Sequence, residues 1–139
     1  MIVADTGALL ALLNADEEHH AKVVTLYDEN PDAWVLPWAI LPELDYLLLG
    51  RVGPSAAQAF LADLADGRWA VEWGVEDDLG RAHDLDGQYR ALNLGLVNGV
   101  VMAIAERLKA EAIATLDLKH FGAVKLVGNP KLLPRDLKT

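Results

Sequence analysis

The sequence contains no cysteine in 139 residues, which removes disulfides, zinc–thiolate sites and thiol nucleophiles together. That absence suits a reducing compartment. No apolar run approaches the roughly 18 residues that a membrane span needs. The N-terminus has no basic leader, and Asp5 interrupts its apolar start, so neither a signal peptide nor an anchor is expected. A soluble, cytoplasmic chain without a membrane partner is the expectation. Positive charge is also scarce, with 12 Lys and Arg against 21 Asp and Glu and a net charge of −9. Phosphate contacts are usually made by Lys and Arg, so composition alone argues against a nucleic-acid partner. It does not exclude one, because a bound cation inverts the local field of a carboxylate site.

What is present is apolar and periodic. Hydrophobic residues make up 53% of the chain, enough for one domain over 1–139 with a real core. Residues 1–5 are predicted as a first strand, followed by helices over Thr6–Asn14 and from Asp16 to about Tyr27. In the second of these, Ala21, Val24 and Tyr27 recur at helical spacing. After the turn Asn30-Pro31-Asp32, Trp34-Val35-Leu36 is predicted as a strand stopped by Pro37.

Ala39–Gly50 is predicted helical, with Ile40, Leu44, Leu47 and Leu48 on one face and Pro42 in the first turn. A helix from Pro54 to about Ala65 closes at Asp66-Gly67. Trp69-Ala70-Val71 is the predicted third strand, and Val75–Tyr89 a charged helix with Leu79, Ala82 and Leu85 inward. Polar residues 90–95 lead into a helix from about Leu96 to Leu108. Ala112-Ile113-Ala114 and Val124–Val127 are the predicted fourth and fifth strands, and a tail with Pro and Lys follows. Strands separated by helices imply a three-layer α/β sandwich with a mostly parallel, roughly five-stranded sheet.

In such a sheet ligands bind in the crevice beyond the carboxyl ends of the strands. Asp5 stands there after strand one and Asp117 after strand four. Glu43, in the first turn of its helix, can reach the same end, and Asn98 lies near the start of the helix before strand four. Buried carboxylates are costly unless paired, and a cluster of them suits a hard divalent cation such as Mg²⁺.

Five segments in order carry a family resemblance: Val3-Ala4-Asp5-Thr6-Gly7-Ala8-Leu9, Leu41-Pro42-Glu43-Leu44, Leu94-Gly95-Leu96-Val97-Asn98, Ala103-Ile104-Ala105-Glu106-Arg107-Leu108 and Ala114-Thr115-Leu116-Asp117. From residue 1 to about 127 the chain resembles PIN-domain proteins, and more narrowly the VapC-type toxins of bacterial toxin–antitoxin modules. None of the five is specific alone; their order and separations carry the likeness.

The resemblance implies a Mg²⁺- or Mn²⁺-dependent endoribonuclease that cuts RNA, forms a homodimer and is silenced by a small antitoxin. Asp5, Glu43 and Asp117 fall on the family's acidic positions. Asp5 would be the central metal ligand, Glu43 would bind metal or orient the attacking water, and Asp117 would act directly or through water. Thr6 and Thr115 would support them. Asn98 departs from the family, which normally has Asp there, and its neighbour Gly99 stands where Ala is usual. Asn keeps a carbonyl ligand but removes a negative charge. A diverged but active nuclease, one disarmed by the substitution, and a member that binds RNA or protein without cutting all stay open.

Plainer accounts compete at each position. Asp5-Thr6-Gly7 matches the triplet of aspartic proteases, but that site needs a β-rich dimer pairing two Asp residues. A carboxylate after strand one also occurs in phosphoryl-transfer domains. Alone, Asp5 and Asp117 can be helix or turn caps, and Glu43 a first-turn acid favoured by the helix dipole, as can Glu76-Asp77-Asp78. His19 and His20 face different ways on a helix, and His83 and His120 stand alone. Arg81, Arg90, Lys119 and His120 are candidates for RNA phosphate. Trp34 and Trp69 are expected in the core, while Trp38 and Trp73 suit base stacking or a dimer interface. Apolar positions on helices 39–50 and 54–65 suit a groove for an antitoxin helix.

Overall fold

Ile2, Val3 and Ala4 are all buried, as a strand must be when neighbours flank it and helices cover both its faces. They form β1 (Ile2–Ala4) at the centre of a five-stranded, wholly parallel sheet with the order β3-β2-β1-β4-β5. The structure, a computed structural model, describes residues 1–137. Its other strands are β2 (Trp34–Pro37), β3 (Ala70–Glu72), β4 (Ala112–Ala114) and β5 (Lys131–Leu133). Ile2 lies level with Trp34 on one side and Ala112 on the other.

Seven helices are described: α1 (Thr6–Leu13), α2 (His20–Glu29), α3 (Ile40–Arg51), α4 (Pro54–Ala65), α5 (Glu76–Gln88), α6 (Gly95–Arg107) and the short α7 (Leu118–Phe121). The connections from β1 to β2 to β3 step one way across the sheet, and those from β3 to β4 to β5 step the other way. Right-handed crossovers therefore put α1–α4 on one face and α5–α7 on the opposite face, which gives three layers. In keeping with this, α1 packs on α2 and α3, α3 on α4, and α5 along α6, which covers β1 and β2. The strand order reverses between β1 and β4, so the crevice for a ligand opens between their carboxyl ends.

Several local expectations need correction. The fifth strand is Lys131–Leu133, not Val124–Val127. Val124 and Leu126 are buried while Lys125 and Val127 face out, the alternation of a half-buried strand. Their backbone, however, is tied to side chains: Lys125 N–H donates to the Tyr89 hydroxyl and Val127 N–H to Glu106 Oε2. A turn with Gly128 and Asn129 at positive φ then leads into the strand that pairs with β4. In α2 the inward face is Val23 and Leu26, with Ala21 exposed. In α5, Asp78, Ala82 and Leu85 face inward, and Leu79, about 100° round the helix, is 48% exposed. Pro37 closes β2 from inside, paired with Glu72. The last two residues of the predicted tail lie outside the described residues.

Candidate active site

Asp5 follows β1, and its N–H still donates to the Ala114 carbonyl at 2.9 Å. The last rung between β1 and β4 therefore fixes its backbone. Its side chain caps α1: Oδ1 accepts from Thr6 N–H at 2.8 Å and Oδ2 from the Thr115 hydroxyl at 3.0 Å. The residue is only 6% exposed. Burial pushes its carboxyl from the ordinary 3.8 up to about 6. The bonds from Thr6 and Thr115 hold it down less strongly, and the negative charges of Asp117 and Glu43 push it further up.

Asp117 begins α7 and is half-buried. Its N–H donates to Thr115 Oγ1 at 3.0 Å, so Thr115 links the two carboxylates through one hydroxyl. Oδ1 accepts from His120 N–H at 3.1 Å, and Oδ2 lies 2.7 Å from His120 Nδ1. The other ring nitrogen, Nε2, lies 2.9 Å from the Leu92 carbonyl. His120, expected to stand alone, is part of this site. An Asp three residues before a His across a helix start, the spacing of a capping pair, was the available signal.

Glu43 sits in the first turn of α3 with its side chain in solvent, close enough for its charge to act on Asp5. Asn98 is half-buried in α6, the fourth residue of a helix that packs against β1. Positions 5, 43 and 117 thus share an electrostatic neighbourhood. Among the described residues, though, no three His, Asp or Glu side chains are grouped so that they could hold a metal ion by themselves.

An open arrangement still fits Mg²⁺, which usually takes one or two carboxylates and keeps several waters. Two observations favour a cation. The Asp5 carboxylate carries a buried charge that its hydrogen bonds do not fully offset, and the Thr6 hydroxyl beside it is buried without a hydrogen-bond partner.

The glycine at 99 has a packing cause. A Cβ there would come within 2.9 Å of Ala82 Cβ and 3.3 Å of Ala82 Cα. The α5–α6 pair closes to a distance only Gly permits, so Gly99 reflects helix packing rather than the site.

Other charges are already engaged. Arg81 forms a bidentate pair with Glu106, at 2.6 and 3.0 Å, so it ties α5 to α6 instead of awaiting phosphate. Asp78 is buried, caps α5 by accepting from Val75 N–H, and receives two bonds from Arg107, which also reaches Glu72 at 2.7 Å. Arg90, which opens the 3₁₀ turn that carries Leu92, and Lys119, the neighbour of His120 in sequence, are exposed. A cleft of about 540 Å³ beside Thr115 and Leu116 carries His19, Lys22 and Arg135 on its walls.

Trp34 is buried, and Tyr27 joins it to half-buried Trp69 with ring centroids 5.5 and 5.4 Å away. Trp73 is 73% exposed and lines an apolar groove of about 410 Å³ with Leu41 of α3 and Phe60, Leu61 and Leu64 of α4.

A PIN domain profile matches residues 2–125. Ribonuclease VapC26 of Mycobacterium tuberculosis is 34% identical over 127 residues, which span 91% of this chain and 94% of the relative. Among solved structures, the Mycobacterium tuberculosis VapC20 toxin, described as cleaving the sarcin–ricin loop, superposes with a TM-score of 0.81 at 23% identity, covering 92% of this chain and 98% of that one. VapBC2 of Rickettsia felis, bound to a promoter DNA fragment, gives 0.66 at 18% identity, with 95% and 97% covered. FitAcB of Neisseria gonorrhoeae gives 0.64 at 16%, with 95% and 96% covered.

Proposed function

The chain belongs to the PIN-domain family, in its VapC-type branch, and from that premise we propose that it is a Mg²⁺- or Mn²⁺-dependent endoribonuclease toxin. The observation that carries the proposal is the Asp5 carboxylate at the sheet's switch point, hydrogen-bonded to Thr6 and Thr115 and pushed up to about 6 mainly by burial, with the charges of Asp117 and Glu43 adding to the rise. Asp5 would hold the cation directly, with Glu43, Asp117 and the Asn98 carbonyl contributing directly or through waters. When bound, the metal acidifies the attacking water and neutralises charge on the phosphodiester. Thr6 and Thr115 keep Asp5 ionised and aimed, since each donates to one of its oxygens. Solvated Glu43 is free to orient the water. Lys22, on the wall of the cleft beside Thr115, and the exposed Arg90 and Lys119 are the cations proposed to steer RNA into a chain that is otherwise acidic.

A cognate antitoxin is the proposed partner, supported by relatives described as VapBC and FitAcB. The groove between α3 and α4 has the apolar lining that an amphipathic helix needs. A homodimer and a cytoplasmic site of action complete the proposal. Among the described residues, no helix is long and apolar enough to cross a membrane.

Asn98 favours a second reading, a PIN domain that binds RNA or protein without cutting. Cleavage of labelled RNA with Mn²⁺, with EDTA, and by Asp5→Ala and Asn98→Asp separates the two. The first reading expects Mn²⁺-dependent internal cuts by the native chain, loss in Asp5→Ala and a gain in Asn98→Asp. No cleavage by the native chain, with activity appearing only in Asn98→Asp, would establish the second.

A further inference from the structure

Among the described residues His120 is the one imidazole that meets a carboxylate of the site, and each ring nitrogen faces an acceptor, so both contacts are hydrogen bonds together when the ring carries two N–H groups. Nδ1 lies 2.7 Å from Asp117 Oδ2, and Nε2 lies 2.9 Å from the Leu92 carbonyl. Its own backbone N–H donates to the other oxygen, Asp117 Oδ1, at 3.1 Å. One residue therefore holds both carboxylate oxygens of Asp117 and ties them to the 3₁₀ turn Arg90–Leu92 that precedes α6. From Asp117 the hydrogen bonds continue through Thr115 Oγ1 to Asp5 Oδ2. The ring is half-buried, so packing as well as bonding limits its rotation.

We propose that His120 is a positioning residue for Asp117: the Nδ1 contact of its imidazole, added to its backbone N–H bond, sets the direction in which Asp117 presents its carboxylate to the crevice. This rests on the metallonuclease reading of the site. The backbone bond to Oδ1 alone leaves the carboxylate able to swing about χ2, which is a soft torsion. The second bond, from Nδ1, removes that freedom. Groups that orient metal-binding carboxylates typically change metal affinity by about 10–100-fold when lost.

The side chains of Asn and Gln divide the two ring contacts. The amide nitrogen of Asn stands where Nδ1 stands and keeps the Asp117 bond; that of Gln stands where Nε2 stands and keeps only the Leu92 bond. Mn²⁺ binding to the full chain, followed by the loss of the free-ion EPR signal, is the measurement, with thermal melting to check that each variant folds. His120→Leu and His120→Gln are expected to weaken binding by about 10-fold. His120→Asn should stay within about 3-fold of the native chain. Adding His120→Leu to Asp117→Asn should cost no further affinity, as expected for groups acting as one unit.

Rescue by Asn but not Gln supports the proposal, because a merely structural role would not distinguish them at equal melting temperature. Equal losses in Asn and Leu, an unchanged Leu variant, or a further loss in the double variant would overturn it. A native chain that binds no Mn²⁺ would overturn the metal site itself, and this proposal with it.

Discussion

The Asp5 carboxyl has an ordinary value of 3.8 and a folded value of about 6, so between those limits the native chain holds a proton that the unfolded chain has released. A raised value stabilises the fold below pH 3.8, and that stability is lost as pH rises through 6. Each unit of difference is about 1.4 kcal/mol, so ionised Asp5 costs on the order of 1–3 kcal/mol at pH 7. Asp5→Asn should therefore be the more stable protein at pH 7 in urea unfolding, with the difference shrinking towards pH 4. Mn²⁺ should narrow the gap by stabilising the native chain alone. An Asn variant less stable than the native chain at pH 7 would show that its hydrogen bonds, not its charge, dominate at this position. The residues that surround Asp5 were legible as types: Thr6 follows Asp5 and Thr115 stands two residues before Asp117 in the sequence. The His120–Leu92 contact was not, because it joins a short helix to a 3₁₀ turn 28 residues earlier, and no periodicity records such a bridge.

At the scale of elements, α5 and α6 form the most closely joined pair. Gly99 against Ala82 closes their middle, while the part-buried pairs Arg81–Glu106 and Arg107–Asp78 tie them further along. Gly99→Ala sets a gain of about 1 kcal/mol in helix propensity against about 1–3 kcal/mol of overpacking. A net loss of stability of up to about 2 kcal/mol is expected in chemical unfolding, reversed by the paired change Ala82→Gly. Arg107→Met leaves Asp78 buried and unpaired and should cost about 2–4 kcal/mol, below the largest effects because the guanidinium keeps some contact with water.

Helix positions were legible from spacing where side chains are strongly apolar, as with Ile40, Leu44 and Leu48 in α3. They shifted in α2 and α5, where alanines or an exposed leucine mimic an inward face. The fifth strand was misplaced because alternation at 124–127 records one-sided burial, not sheet pairing. Lys131-Leu132-Leu133 is too short to stand out in a polar tail.

At the scale of the whole molecule, a net charge of −9 coexists with a proposed polyanionic substrate. Few cations flank the crevice, so the affinity for single-stranded RNA should fall only shallowly with salt. A slope of about −2 in log K against log salt corresponds to about three phosphates at −0.7 each. The groove of α3, α4 and Trp73 lies on the α1–α4 face, where its Leu41 and Asp45 flank Glu43 along α3, while Leu61 stands on the neighbouring α4. Leu61→Glu in that groove should weaken antitoxin binding by about 30-fold, the effect of losing an interface anchor, without changing RNA cleavage in isolation. Equal antitoxin affinity in calorimetry would move that interface elsewhere. The alternation of strands and helices implies a parallel sheet with positions 5 and 117 beyond strand ends, which is why the crevice was legible. The order β3-β2-β1-β4-β5 was not, and neither was the groove's depth, which depends on how α3, α4 and Trp73 pack together.

The central claim is that the carboxyl ends of β1 and β4 hold a catalytic cation on Asp5. Anomalous diffraction from crystals grown with Mn²⁺ tests it most directly. A single strong peak, or a close pair, is expected within direct coordination distance of an Asp5 carboxylate oxygen (about 2.1 Å for a Mg²⁺-like ion), with its loss in Asp5→Asn. A peak confined to other surface carboxylates, with the crevice beside Asp5 holding none, would contradict it.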